Sequence, residues 1–229
     1  NGDTVLVSNG VYMLSSRLSI TKGVAVSSVN GSADTVIDGN SATRCVYMSH
    51  ASASLTGFTI RNGYGLAQSG GGVEIDGYGI GNGGTVDRCV IRDNRVKTSS
   101  SINVSVSGGG VLLAYGGTLR NCLIMNNRAE STTGQSASGG GLLVSHGGTA
   151  ESCTIVSNSA KSAGGYYVVF NGTLRNCIAY YNAKTDGTSN NGGYQYYPGS
   201  TTGVDFYNCC STPIMSGTGN ISSAPQFLN

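Results

Sequence analysis

One block of residues recurs between Ser69 and Cys210. It reads Gly70-Gly71-Gly72-Val73, then Gly83-Gly84-Thr85-Val86-Asp87-Arg88-Cys89-Val90-Ile91, ending in Asn94. It returns as Gly108-Gly109-Gly110-Val111 and Gly116-Gly117-Thr118-Leu119-Arg120-Asn121-Cys122-Leu123-Ile124, ending in Asn127. A third copy runs from Gly139 through Gly147-Gly148-Thr149 and Cys153-Thr154-Ile155 to Asn158. A fourth, eroded at its start, runs from Gly164-Gly165 through Gly172-Thr173-Leu174-Arg175-Asn176-Cys177 to Asn182. Cys89, Cys122, Cys153, Cys177 and Cys209 fall 33, 31, 24 and 32 residues apart. A period in this range means stacked supersecondary units, none of which can bury its apolar face without neighbours.

Within each unit the apolar residues alternate with polar ones. Cys89 and Ile91, Cys122 and Ile124, and Cys153 and Ile155 sit two apart, which is the period of a strand, whose side chains leave on opposite faces. The 37 glycines provide corners, and three prolines are too few for an extended disordered chain. Short strands with glycine corners predict an all-β chain wound as a parallel β-helix solenoid of about seven to eight coils. Equivalent residues then stack about 4.8 Å apart. Three inward ladders are expected: Phe58 with the cysteines; Ile60, Ile91, Ile124, Ile155 and Ala179; and Asn94, Asn127, Asn158 and Asn182. Stacked asparagines at a corner bond one another and the turning backbone, so they read as structural. Residues 1–229 are expected to form a single domain, with degenerate coils over 1–63, regular repeats over 64–210 and a cap over 211–229.

Composition narrows the partners. The formal charge is +2 with no Lys/Arg run, so no nucleic-acid partner is expected. No apolar stretch approaches the roughly 20 residues of a membrane span, so this stretch is not expected to insert in a bilayer. The opening Asn1-Gly2-Asp3, without methionine, reads as a trimmed chain. Five of the seven cysteines share one ladder position and none forms a Cys-X-X-Cys pair. They read as small buried reduced fillers, with no metal, while a disulfide involving Cys45 or Cys210 stays open.

Chemistry is sparse. Asp87, Arg120, Glu151 and Arg175 each lie two positions before a ladder cysteine and would stack with alternating sign, a register device worth about 0–1 kcal/mol per exposed pair. Glu74 and Asp76 are different: Val73 and Ile75 point inward, so both carboxylates point outward about 6.5–7 Å apart. Tyr115 and His146 follow at the next position of successive coils. Glu74, Asp76 and His146 are therefore the candidate catalytic set for sugar chemistry; the alternatives for the carboxylates are a hydrated surface patch or half of a calcium site, and no other cofactor is expected. No Gly-X-Ser-X-Gly elbow is present, and no Gly-Lys-Ser/Thr follows the glycine runs. The stretches 95–107, 128–138, 159–163 and 183–202 vary in length from coil to coil and read as loops on one side of the stack. Tyr115, Tyr166, Tyr167, Tyr181, Tyr194, Tyr196 and Tyr197 are the candidate ligand contacts, since a tyrosine offers a flat apolar face and a hydroxyl.

The alternation of Gly110-Val111 and Gly141-Leu142 with Cys-X-X-X-X-Asn motifs, and the segment 158–165, resembles the repeat of bacterial polymorphic outer-membrane protein passengers. There cysteine stands where that family has an aromatic, except at Phe58. Gly2-Asp3-Thr4-Val5-Leu6-Val7 and Val36-Ile37-Asp38-Gly39 resemble the start of pectin-lyase-like right-handed β-helix proteins, and Ala224-Pro225-Gln226-Phe227 resembles the end of many secreted bacterial domains of this kind. The resemblance implies a right-handed helix in a secreted or cell-surface protein. Passenger-type members imply an adhesin; pectin-lyase-like members imply a polysaccharide lyase or glycoside hydrolase, though their clustered aspartates have no counterpart here. The expectation is a monomer binding polysaccharide or a host surface glycoprotein, with catalysis as the alternative.

Overall fold

The computed structural model describes residues 2–98, 104–132, 134–195 and 203–227. One coil shows how alternation becomes architecture. Thr85–Asp87 runs along the first face and Val90–Arg92 along the second; Arg95–Lys97 forms a short side strand, and Val111–Ala114 returns along the third face. Each strand pairs in parallel with its equivalent one coil away, giving sheets of eight, eight and seven strands for the three faces and five for the side strands. Eight strands on the first face mean eight coils. The molecule is a parallel β-helix, and a right-handed winding is the sense that twisted parallel strands impose on their crossovers.

The corners are set by single left-handed residues. Arg88, Asn121, Ser152, Asn176 and Asn208, at φ of 50–54°, each precede a ladder cysteine. Asp93, Asn126, Ser157 and Tyr181, at φ of 55–57°, each precede a ladder asparagine. One such residue reverses the pleat without a long loop, and Asn and Asp tolerate that conformation better than other side chains. The next residue is thereby turned inward.

The asparagine and isoleucine ladders form as their spacing predicts. Asn94, Asn127, Asn158 and Asn182 are buried. The side-chain amide of each donates to the next, from Asn94 to Asn127, Asn127 to Asn158 and Asn158 to Asn182, at 3.0 Å throughout. Each also donates to a carbonyl one coil back, as Asn127 Nδ2 does to Ile91 at 2.9 Å. Each side-chain oxygen also receives the main-chain N–H of the preceding rung, as Asn127 does from Asn94 at 3.0 Å. These are the corner groups that would otherwise be orphaned in a dry interior. The isoleucine column Ile60, Ile91, Ile124 and Ile155 is fully buried beside them.

All seven cysteines are free and buried, which settles Cys45 and Cys210 as thiols. Sulfurs meet backbone donors of the previous coil: Phe58 N–H reaches Cys89 Sγ at 3.5 Å and Cys89 N–H reaches Cys122 Sγ at 3.4 Å. Burial pushes the Cys45 thiol up to about 12, and only thiolate is nucleophilic. Because all seven thiols are buried, Ellman's reagent is expected to find none of them in the folded protein and all seven in guanidinium. Rapid modification of Cys89 or Cys122 before unfolding would contradict the dry column.

The stretches expected to be loops carry short side strands instead. Arg95–Lys97, Arg128–Glu130 and Ser159–Ala160 pair in sequence, and Val106–Ser107 pairs with Ala137–Ser138. Val96, Val106, Ala129, Ala137 and Ala160 form a small second core between them. Such two- and three-residue strands carry too little alternation to stand out. At the N-terminal end the stack is open: Val5, Val7, Leu14, Leu18, Val24 and Val26 help line an apolar mouth of about 530 Å³.

Candidate functional site

The third face positions the outward residues. Its register aligns Ser19, Tyr47, Glu74, Leu112, Leu143 and Tyr167 as one column along the helix axis. From Tyr47 onward these side chains are half-buried, an outward row along the third face. Val73 and Ile75 are buried and Glu74 and Asp76 are half-buried, as alternation requires.

Glu74 does not stand free. Its carboxylate is paired with Arg44, whose side chain is only 6% exposed. Arg44 also donates to the carbonyls of Ser69 at 2.7 Å and Gly70 at 2.8 Å. Burial raises the Glu74 carboxyl above its ordinary value, and the Arg44 charge opposes that rise. Arg17 stands over the Tyr47 ring at 4.5 Å. Together Arg17, Arg44, Tyr47, Gln68, Ser69, Glu74 and Leu112 line a shallow space of about 500 Å³. Arg44 went unnoticed in the sequence. The available signal was register: Val46 pairs with Val73, which sets Arg44 opposite Gly71, where the regular coils keep glycine.

Asp76 turns its Oδ1 to the N–H of Tyr78 at 3.0 Å. His146 lies two coils further on, about 9.6 Å along the axis at one strand spacing per coil. Its ring is sandwiched between Tyr115, at 4.4 Å, and Phe170, at 4.6 Å, while Tyr78 meets Tyr115 edge-on at 5.1 Å. Tyr115, His146 and Phe170 all occupy the left-handed region, at φ of 53°, 49° and 45°. Bulky residues there cost about 1–2 kcal/mol each, and ring stacking offsets part of it. The stack is a short row of rings on successive coils, with Tyr78 at one end in a T-shaped contact with Tyr115.

The remaining tyrosines divide. Tyr166, taken from the sequence as a ligand contact, is 3% exposed and belongs to the core, under Gly192 and beside Phe206. Its strand position is inward, the same as Leu142, so no ligand reaches it. Tyr167 is outward in the third-face column. Tyr181 is 60% exposed and lies across the ring of Tyr180 at 5.6 Å, on another corner. Tyr196, Tyr197 and the side chain of Tyr194 lie outside the described residues.

The charge ladder has the expected register, Asp87 with Arg120, Arg120 with Glu151 and Glu151 with Arg175. Among the described residues its ion pairs are confined to one end, where Asp87 meets Arg120 at 3.3 Å and Arg88 at 3.2 Å. No group of three His, Cys, Asp or Glu side chains among the described residues converges to hold a metal ion.

No protein-family model matches this chain, and no curated protein matches it. Among solved structures it is similar to the pectin methylesterase from Aspergillus niger, with 14% identity and a TM-score of 0.45, over 100% of this chain and 84% of that one.

Proposed function

We propose that this β-helix is a secreted or surface-displayed bacterial binding protein, adhesin-like, that holds a polysaccharide or a host surface glycoprotein along its third face. The observation that carries this reading is the outward column itself. Tyr47, Leu112, Leu143 and Tyr167 lie in register with Glu74 along the third face, and that acidic member is held by Arg44. A polymer lying along the axis meets a half-apolar row and a few fixed polar groups, the mixture that sugar rings require. The alternative, a polysaccharide lyase or glycoside hydrolase, draws on the raised Glu74 carboxyl and on Asp76 about 6.5–7 Å along the strand, a separation suited to an inverting hydrolase. Against it, a general acid tied to a buried guanidinium is a poor proton donor.

Affinity electrophoresis against acidic and neutral polysaccharides, with parallel assays for new reducing and unsaturated ends, separates the two. Retardation without product is expected, weakened about tenfold when Tyr47 and Tyr167 are both changed to alanine. Product formation that Glu74→Gln abolishes would reverse the assignment.

A further inference from the structure

We propose a second, separate ligand site at the C-terminal end of the first face, shaped for a neutral sugar ring. The outward column there continues from Glu151 to Arg175 and Tyr207 in register. Asp87 and Arg120 neutralise each other, but among the described residues neither Glu151 nor Arg175 has an ion pair or a side-chain hydrogen bond. Neighbouring coils bring these two opposite charges to about 4.8 Å backbone spacing, yet they form no ion pair among the described residues. Between them lies a cleft of about 510 Å³ lined by Glu151, Arg175, Asn176, Tyr207 and Asn208.

The corner that builds the cleft is fixed. Asn176 and Asn208 are both left-handed, at φ of 54° and 51°, and Asn208 Nδ2 donates to Asn176 Oδ1 at 3.4 Å. Tyr207 is 40% exposed beside them. The cleft thus holds a carboxylate that only accepts, a guanidinium that only donates and two carboxamides that do both, beside one flat ring. An anion there would be repelled by Glu151, and a cation by Arg175. A neutral polyol satisfies both, donating hydroxyl protons to Glu151 and accepting from Arg175, while its C–H face lies on Tyr207.

This site stands independently of the third-face column. Isothermal titration with cellohexaose, xylohexaose, mannohexaose and maltohexaose tests it, with inorganic phosphate and glycine as charged and zwitterionic probes. At least one neutral oligosaccharide is expected to bind, and Tyr207→Ala or Glu151→Gln should weaken it about tenfold. Val29→Ala, exposed at the other end of the stack and outside both sites, should leave that affinity unchanged. Circular dichroism confirms that the variants fold, and Glu151→Gln keeps the side-chain shape. The assignment is overturned if no neutral sugar binds, if Tyr207→Ala binds as the parent does, or if phosphate or glycine binds more tightly than any oligosaccharide. Sugar binding lost only with Tyr47→Ala would overturn this cleft and leave the third-face column standing.

Discussion

Asn127→Ala is expected to cost roughly 3–5 kcal/mol of unfolding free energy, at about 1–3 kcal/mol for each buried polar group left without a partner. Two groups lose the Asn127 side chain as partner, the main-chain N–H of Asn94 and the carbonyl of Ile91, and the Asn94 amide keeps only its bond to the Ile60 carbonyl. A methyl cannot replace them, and the site is too dry for water to enter without further cost. Because each coil touches only its neighbours, the weakened joint also divides the stack. Guanidinium unfolding of Asn127→Ala should therefore show a lower midpoint and a shallower or biphasic transition. A single transition with the parent midpoint would mean that the amide ladder contributes nothing.

Arg44→Ala is expected to be as severe, about 3–5 kcal/mol, because it leaves the Glu74 carboxylate buried without its counter-charge. It also strips the donors from the Ser69 and Gly70 carbonyls. The pH dependence has a definite sign. The Glu74 carboxyl is raised in the folded protein, so folded molecules bind its proton more tightly than unfolded ones do. Stability from this group is therefore greatest below the unfolded carboxylate value and falls as pH rises through it toward the folded one. Removing Arg44 takes away the charge that opposes the rise, so the fall should become larger in Arg44→Ala and vanish in the double variant with Glu74→Gln. Thermal melts of the three proteins from pH 4 to 8 read this directly. Equal losses at every pH would detach the defect from Glu74.

The ladders were legible because they obey one rule at many places. Cys122 and Ile124 sit two apart, their equivalents recur one period away, and the coordinates stack them. The Asn column was legible for the same reason. Arg44 was not, since it occurs once, in a degenerate coil, and its partner lies 30 residues on. Tyr166 misled because its type suggests a binding surface, while its parity with Leu142 in the third-face register points it inward. The charge ladder shows the limit of register: Glu151 and Arg175 stand on adjacent coils and still form no ion pair among the described residues. The aromatic stack depended on left-handed backbone at Tyr115, His146 and Phe170, which no propensity scale assigns to such residues.

The asparagine column presents the same donor and acceptor at every level, with each rung bonded to the next at one common length. Excising or duplicating a whole unit, such as the 31 residues from Cys122 to Cys153, would rejoin chemically identical ends. The length of such a protein is then a quantity that gene duplication can adjust in whole steps, lengthening its reach without redesigning any joint.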